Sequence, residues 1–383
     1  MSEVLFWCLL ALGIYPYVIY PVLVALLGRL RQRDVRADVT FQPRITVITA
    51  AYNEARHIGP TVRNKLAQEY PADKLEIIVV SDASSDATDQ IVAAIAANDK
   101  RVRLLRNETR AGKTAALNLA VPQARGDIIV FADANSIYRP DTLRKLAQDF
   151  ADPEVGYVTG RMLYVNADGS LVGDGCSAYM RYENLLRAAE TRLGSIVGVD
   201  GGVDAIRREL YRPMRPDQLP DFVLPLTVVE QGYRVVYEPG AVLTEETLSA
   251  QGQEYRMRVR VALRAFWALW DKRALLNPLR TGLFAWQLWS HKLLRYMSFV
   301  PLLIAVGLNW YLAPRGWIYV AGVLVQVLFA ILVLAAAIDL RAVGRSMLAR
   351  LCYYFFLLNW ASGVAFVRFV RGQKQVLWQP RTG

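Results

Sequence analysis

Four short apolar runs, separated by stretches of helical spacing, constrain this chain more than any other feature in it. Residues 45–50, 75–80, 102–105 and 128–132 are mostly β-branched and apolar, without alternation, which is the pattern of strands buried on both faces. Between them, residues 54–68, 86–97 and 112–121 carry apolar positions at helical spacing. Strand and helix alternating at this rhythm imply right-handed βαβ units and a parallel sheet. Ligands of such sheets bind beyond the carboxyl ends of the strands. Chemistry is therefore expected in the loops 51–54, 82–86, 110–113 and 133–135. The last of these reads Asp133-Ala134-Asn135. Two oxygen-bearing side chains spaced i, i+2 point the same way and can share one hard cation; the same residues also suit an ordinary turn after a strand.

The first strand is followed by no G-x-G-x-x-G and the chain holds no G-x-x-x-x-G-K-[ST]. Neither a dinucleotide-binding fingerprint nor a P-loop is present. A nucleotide on this sheet edge would be held by side-chain carboxylates and amides rather than by a glycine-rich backbone cradle.

Composition divides the chain. The 54% hydrophobic content is concentrated in residues 4–27, 299–312, 318–338 and 351–367, apolar blocks that read as membrane segments, while residues 36–270 have ordinary soluble composition. The first block lacks the basic start of a signal peptide and is longer than its usual apolar core. Arg29, Arg31, Arg33 and Arg36 follow it at once. The bias of basic residues to the inner side then places the N-terminus outside and the large domain in the cytoplasm. The expected division is a transmembrane helix and basic flank in 1–35, a cytosolic domain in 36–270, amphipathic interface helices in 271–296, transmembrane helices in 297–371, and a basic tail in 372–383. Trp286, Trp289, Lys292 and Arg295 give 271–296 its interfacial character. The net charge of +11 fits membrane lipids with anionic headgroups and a phosphate-bearing substrate. No nucleic-acid-binding motif is present. Cys8, Cys176 and Cys352 stand far apart and form no metal spacing or disulfide framework.

Beyond residue 150 the rhythm changes. A strand is expected over 155–165, a helix over 171–192, a small-residue strand and turn over 199–206, a helix from Pro220 to Gly232, and a strand over 234–237. Residues 253–270 read as a helix carrying Arg256, Arg258, Arg260 and Arg264.

Four motifs now stand in order: Ala51-Tyr52-Asn53-Glu54, Ser81-Asp82-Ala83-Ser84-Ser85-Asp86-Ala87-Thr88, Gly112-Lys113-Thr114-Ala115-Ala116-Leu117-Asn118 and Asp133-Ala134-Asn135. Together they resemble the family 2 glycosyltransferases. With its flanking membrane segments, the chain more closely resembles the processive membrane synthases, the group that includes cellulose, hyaluronan and poly-N-acetylglucosamine synthases. The match covers roughly residues 44–270. The resemblance implies an α/β, GT-A-like cytosolic domain with a central, mostly parallel sheet between transmembrane helices. It further implies a nucleotide-sugar donor, usually UDP-linked, Mg2+ or Mn2+, and inversion at the anomeric carbon.

Carried over position by position, the resemblance puts Ala51, Tyr52, Glu54 and Asp82 at the nucleoside, with Lys113 supplying positive charge beside the nucleotide. Asp133 takes the place of the first acid of the family's Asp-x-Asp, and Asn135 stands where the second acid usually is, so the cation would rest mainly on Asp133, the diphosphate and water. Glu54 and Asp86 also suit helix caps. The family's catalytic base lies in a Thr-Glu-Asp or similar motif, matched here by Leu219-Pro220-Asp221-Phe222. Asp221 is the expected base and Asp200, in Val199-Asp200-Gly201-Gly202, the second candidate. The Gln-x-x-Arg-Trp motif of the processive synthases is reduced to Tyr255-Arg256-Met257-Arg258-Val259, where Arg258 alone remains as a phosphate partner. The implied activity is extension of a polysaccharide at the cytoplasmic face of the inner (plasma) membrane, coupled to its translocation, with a glycan or lipid-linked acceptor and an export protein as partners. Two alternatives stand beside it: single transfer to a polyprenyl-phosphate or glycolipid acceptor, and a non-catalytic export subunit. Asn309, Gln326 and Asn359 are expected either to line a channel or to pack helices.

Overall fold

In the computed structural model the described residues are 1–165, 175–246, 251–338, 340 and 346–375. They form two compact units. One comprises Leu27–Val172, Tyr182–Ser249 and Gln375–Gly383; the other comprises Met1–Leu26, Gly173–Arg181 and Ala250–Lys374. Most of the expected basic tail, with Trp378, lies outside the described residues, as does the start of the helix expected over 171–192.

The first unit is built on one eight-stranded sheet in the order β3-β2-β1-β4-β7-β6-β8-β5. Strands β1 (Ile45–Ala51), β2 (Leu75–Ser81), β3 (Val102–Arg106) and β4 (Ile128–Asp133) are the four apolar runs, and they pair in parallel. Val47, Ile48, Ile77, Ile78, Ile129 and Val130 are fully buried between helices on the two faces, which is why these runs show no alternation. Helices Ile58–Leu66, Thr88–Asn98 and Lys113–Ala120 make the crossovers.

The other half of the sheet is mixed. β5 (Ile137–Tyr138) and β7 (Val203–Arg207) are antiparallel to their neighbours, while β6 (Val155–Val165) and β8 (Arg234–Glu246) pair in parallel. β8 runs well beyond the expected 234–237. Pro239-Gly240 reads as a terminator, but the register slips between Thr159↔Tyr237 and Arg161↔Val242, so the strand absorbs that pair as a bulge and continues. Two of the flanking arginines fold onto this unit. Arg33 binds Glu154 and Arg36 binds the buried Asp152, each at 3.0 Å.

In the second unit, Trp317–Ala337 and Met347–Val370 are long and apolar enough to cross a membrane, with mean hydropathy of 2.7 and 1.2. Leu324, Val325, Leu328, Ile331 and Leu334 project outward from the first of them, as lipid-facing side chains do. Two bent pairs add further apolar length: Ser2–Ile14 with Ile19–Arg31, at 57°, and Leu283–Met297 with Phe299–Arg315, at 54°. The N-terminal block, expected as one helix, breaks at Pro16, which lacks the N–H that a continuous helix would use there. Residues expected as amphipathic interface helices are a series of short turns and helices from Arg273 to Met297. Helix Gln251–Asp271 packs Val259, Ala262, Leu263 and Phe266 against Ala361 and Ala365, small residues one turn apart that let two helices approach closely. Asn309 donates to the Tyr319 carbonyl at 3.1 Å, and Asn359 accepts from the Ser298 hydroxyl at 3.2 Å; both make packing contacts.

Candidate active site

The site grows from the end of β4. Asp133 is the last residue of that strand, and the turn after it is held by helix Ile58–Leu66. Thr61 donates to the Ala134 carbonyl at 2.7 Å and Lys65 to the Ser136 carbonyl at 2.6 Å, while Asn64 exchanges two bonds with the backbone of Tyr138. Lys65 is fully buried, with its ammonium 3.5 Å from the centre of the Tyr138 ring. Burial drives its pKa well below the ordinary lysine value, against the opposing pull of Asp133. These three side chains fix the direction in which Asp133 and Asn135 point.

A second loop brings the cation. Asp82, fully buried just past β2, accepts from Asn107 Nδ2 and the Ala111 N–H on one oxygen and from the Gly112 N–H on the other, all at 2.8 Å. Gly112 sits at φ +91°, a left-handed conformation that glycine adopts freely, and it starts helix Lys113–Ala120. Lys113 Nζ then donates to Asp133 Oδ1 at 2.9 Å and to Asp221 Oδ1 at 3.4 Å.

Asp221 lies in the first turn of helix Pro220–Glu230, where Pro220 occupies a position whose N–H has no helical partner. The loop leading to it is tied to the lysine helix. Thr114 donates to the Gln218 carbonyl at 3.0 Å, and Asn118 accepts from Tyr211 and the Met214 N–H and donates to the Met214 carbonyl. Opposite, Gly201 and Gly202 adopt φ +78° and +74°. A Cβ at Gly201 would stand 2.9 Å from Asp221 Oδ2, and one at Gly202 would stand 3.0 Å from Asp133 Oδ2. The glycine pair therefore leaves open the space beside both carboxylates.

The electrostatics follow from this packing. Burial works to lower the Lys113 pKa, but Asp133 first, then Asp221 and Asp204, outweigh it and the pKa is raised. Asp204 is a member of the cluster that sequence reasoning missed. It faces Phe131 and Thr159 across the middle of the sheet and is fully buried. Neither of its oxygens finds a hydrogen bond of good geometry among the described residues, although the Tyr157 and Thr159 hydroxyls are its neighbours. Burial, and after it the Asp221 charge, push its pKa up to about 8, so it is largely neutral at pH 7.

The other expected residues fall in several places. Ala51 ends β1 and its carbonyl accepts from the Asp82 N–H at 2.8 Å. The Tyr52 ring lies 3.8 Å beneath the Arg110 guanidinium. The Glu54 N–H donates to Thr88 Oγ1. Asp86 accepts from the Ala55 N–H, the Thr88 N–H and the Thr88 hydroxyl, one residue ahead of Ala87, which is the N-cap of helix Thr88–Asn98. Asp200 forms a 2.5 Å ion pair with Arg187, both side chains nearly inaccessible. Asn135 donates to Glu245 Oε1 at 3.1 Å. Arg258 belongs to the other unit, where Glu254 and the Tyr354 hydroxyl hold its guanidinium. At the amino end of β4, away from Asp133, a cleft of about 390 Å3 is lined by Phe41, Pro43, Asp127 and Arg207.

The mixed sheet has a GT-A-like glycosyltransferase fold; its parallel half ends in an Asp-x-Asn turn that a lysine bridges to a helix-borne carboxylate. Residues 46–212 match the description "Glycosyl transferase family 2", and the chain carries a family 2 glycosyltransferase domain. It is 31% identical over 180 residues to a beta-monoglucosyldiacylglycerol synthase of Trichormus variabilis, covering 46% of this chain and 38% of that one. It is 29% identical over 246 residues to a poly-beta-1,6-N-acetyl-D-glucosamine synthase of Staphylococcus aureus, covering 60% and 58%. The chain thus spans less than two thirds of the length of both relatives. Among solved structures, the mannosyltransferase PcManGT from Pyrobaculum calidifontis, in complex with GDP-Man and Mn2+, matches with a TM-score of 0.73 and 25% identity over 97% of this chain and 100% of that one.

Proposed function

We propose that the protein is an inverting glycosyltransferase that moves a sugar from a nucleoside-diphosphate donor to a glycan or lipid-linked acceptor at the cytoplasmic face of the plasma membrane. The observation that carries this reading is the position of Lys113 between Asp133 and Asp221. In this reading Asp133 and Lys113 hold the donor diphosphate, and Asp221 is the base. The acceptor hydroxyl oxygen forms a bond to the anomeric carbon and gives its proton to the Asp221 carboxylate. The bond from the anomeric carbon to the phosphate oxygen breaks, and the nucleoside diphosphate leaves with the electron pair. Lys113 stabilises the charge that grows on the leaving phosphate. Asp200, nearly inaccessible in its pair with Arg187, is a weaker candidate for the base.

The donor set fits a divalent cation, Mg2+ or Mn2+. One carboxylate and one amide oxygen share the turn, and the glycine at 202 leaves room at Asp133 Oδ2. No three His, Cys, Asp or Glu side chains among the described residues cluster closely enough to hold a metal on their own, so the donor diphosphate would complete the set. A bound divalent cation supplies electrophilic stabilisation of the departing diphosphate.

Polysaccharide extension and single transfer to a lipid-linked acceptor divide this reading. The reduced motif at 255–259, with Arg258 held by Glu254 and Tyr354, favours single transfer. Incubating the membrane-embedded protein with radiolabelled UDP- and GDP-sugars and Mn2+ separates the two. A labelled lipid supports single transfer, a high-mass polymer supports extension, and no turnover with any donor contradicts both.

A further inference from the structure

The Asp-x-Asn turn has an amide where a second carboxylate would stand, yet a carboxylate is present one hydrogen bond away. Glu245 lies near the end of β8, opposite Tyr164 of β6 in the sheet, and next to Thr244, which pairs with Ile137 of β5. It is only 3% exposed. Asn135 Nδ2 donates to its Oε1 at 3.1 Å.

We propose that Glu245 fixes the amide of Asn135 and acts through it as a positioning residue of the cation-binding turn; this rests on the donor-site reading above. Three physical consequences of the contact support the assignment. An asparagine amide has two nearly isosteric orientations, one presenting oxygen and one presenting NH2. With Nδ2 committed to Glu245, the Oδ1 edge is the one left for a hard cation. Held by a buried partner, the amide keeps that orientation, as an outer partner orients a metal ligand. Finally, an aspartate at 135 would place two carboxylates at hydrogen-bond distance, where like charges oppose each other. Given a buried glutamate at 245, the amide is the side chain that the turn can accommodate.

The test uses the full-length protein in detergent and measures binding of UDP and of GDP by calorimetry, with and without Mn2+. Glu245→Gln is expected to weaken Mn2+-dependent nucleotide binding about tenfold, the range seen when an outer partner of a metal ligand is removed. Binding without Mn2+ is expected to stay unchanged. Asn135→Asp alone is expected to weaken Mn2+-dependent binding as well. The double exchange Asn135→Asp/Glu245→Gln, which restores one acid and one amide, is expected to recover most of the loss. A merely structural role for Glu245 would lower both kinds of binding together and would gain nothing from the double exchange; either result overturns the proposal. If the unmodified protein binds neither nucleotide with Mn2+, the donor-site reading itself fails and this inference falls with it. Normal binding in the unmodified protein with an unaffected Glu245→Gln overturns the inference alone.

Discussion

Asp204 puts a titratable group at the centre of the sheet, and its consequence is a pH dependence of stability. Its carboxyl binds a proton more tightly in the native protein than an ordinary aspartate does, with a pKa pushed up to about 8 by burial and by Asp221. Native-state stability therefore falls as pH climbs from the ordinary aspartate range, near 4, through about 8. Asp149, raised to about 8 by burial and the nearby Glu238, adds to the same slope. Asp204→Asn should leave the unfolding midpoint near pH 4–5 little changed, raise it at pH 9, and flatten the slope between. A variant with the slope of the parent would contradict this account. Asp204 was not legible in the sequence because an acid four residues after Asp200 reads as part of a polar turn. Only the cross-strand pairing to Phe131 and Thr159 turns it inward. Lys65 escaped notice for a related reason: a lysine late in a helix reads as a solvated end, and its burial depends on the turn after β4 folding over it. The Asp200–Arg187 pair joins a loop to a helix thirteen positions earlier, a contact that no periodicity carries.

At the scale of elements, the parallel strands were legible because burial on both faces leaves a continuous apolar run, and each of the four lies within a residue or so of its expected bounds. β8 was legible only in part, since Pro239-Gly240 signals a stop that a bulge overrides; with the strand's second half went Glu245. The break at Pro16 was readable in principle, yet the unbroken apolar composition of residues 4–27 spoke louder. The motif Gly112–Asn118 was legible as a motif, but its division of labour was not. Lys113 faces the carboxylates, whereas Thr114 and Asn118 hold the 211–218 loop that delivers Asp221. Asn118→Ala removes three hydrogen bonds from that loop and leaves their partners to find water. It is expected to cost about 1–3 kcal/mol in denaturant unfolding and to lower turnover more than donor affinity. A change below about 0.5 kcal/mol with full turnover would show that the loop is held by other means.

On the scale of the whole molecule, segments of a sheet-based unit and of an apolar helical unit alternate along one chain. Of the arginines after the first apolar segment, Arg33 and Arg36 are taken up by Glu154 and Asp152, so the charge bias that suggested a cytoplasmic domain also serves to seat the chain on that domain. The central claim is that Lys113 joins a donor-binding carboxylate to a separate catalytic one. Asp221→Asn isolates it. Nucleotide-sugar binding in the presence of Mn2+ should remain within a few-fold of the parent, while transfer falls by about 10^2–10^4, the range that general base catalysis contributes. Transfer retained at the parental rate, or lost in step with donor binding, would contradict the account.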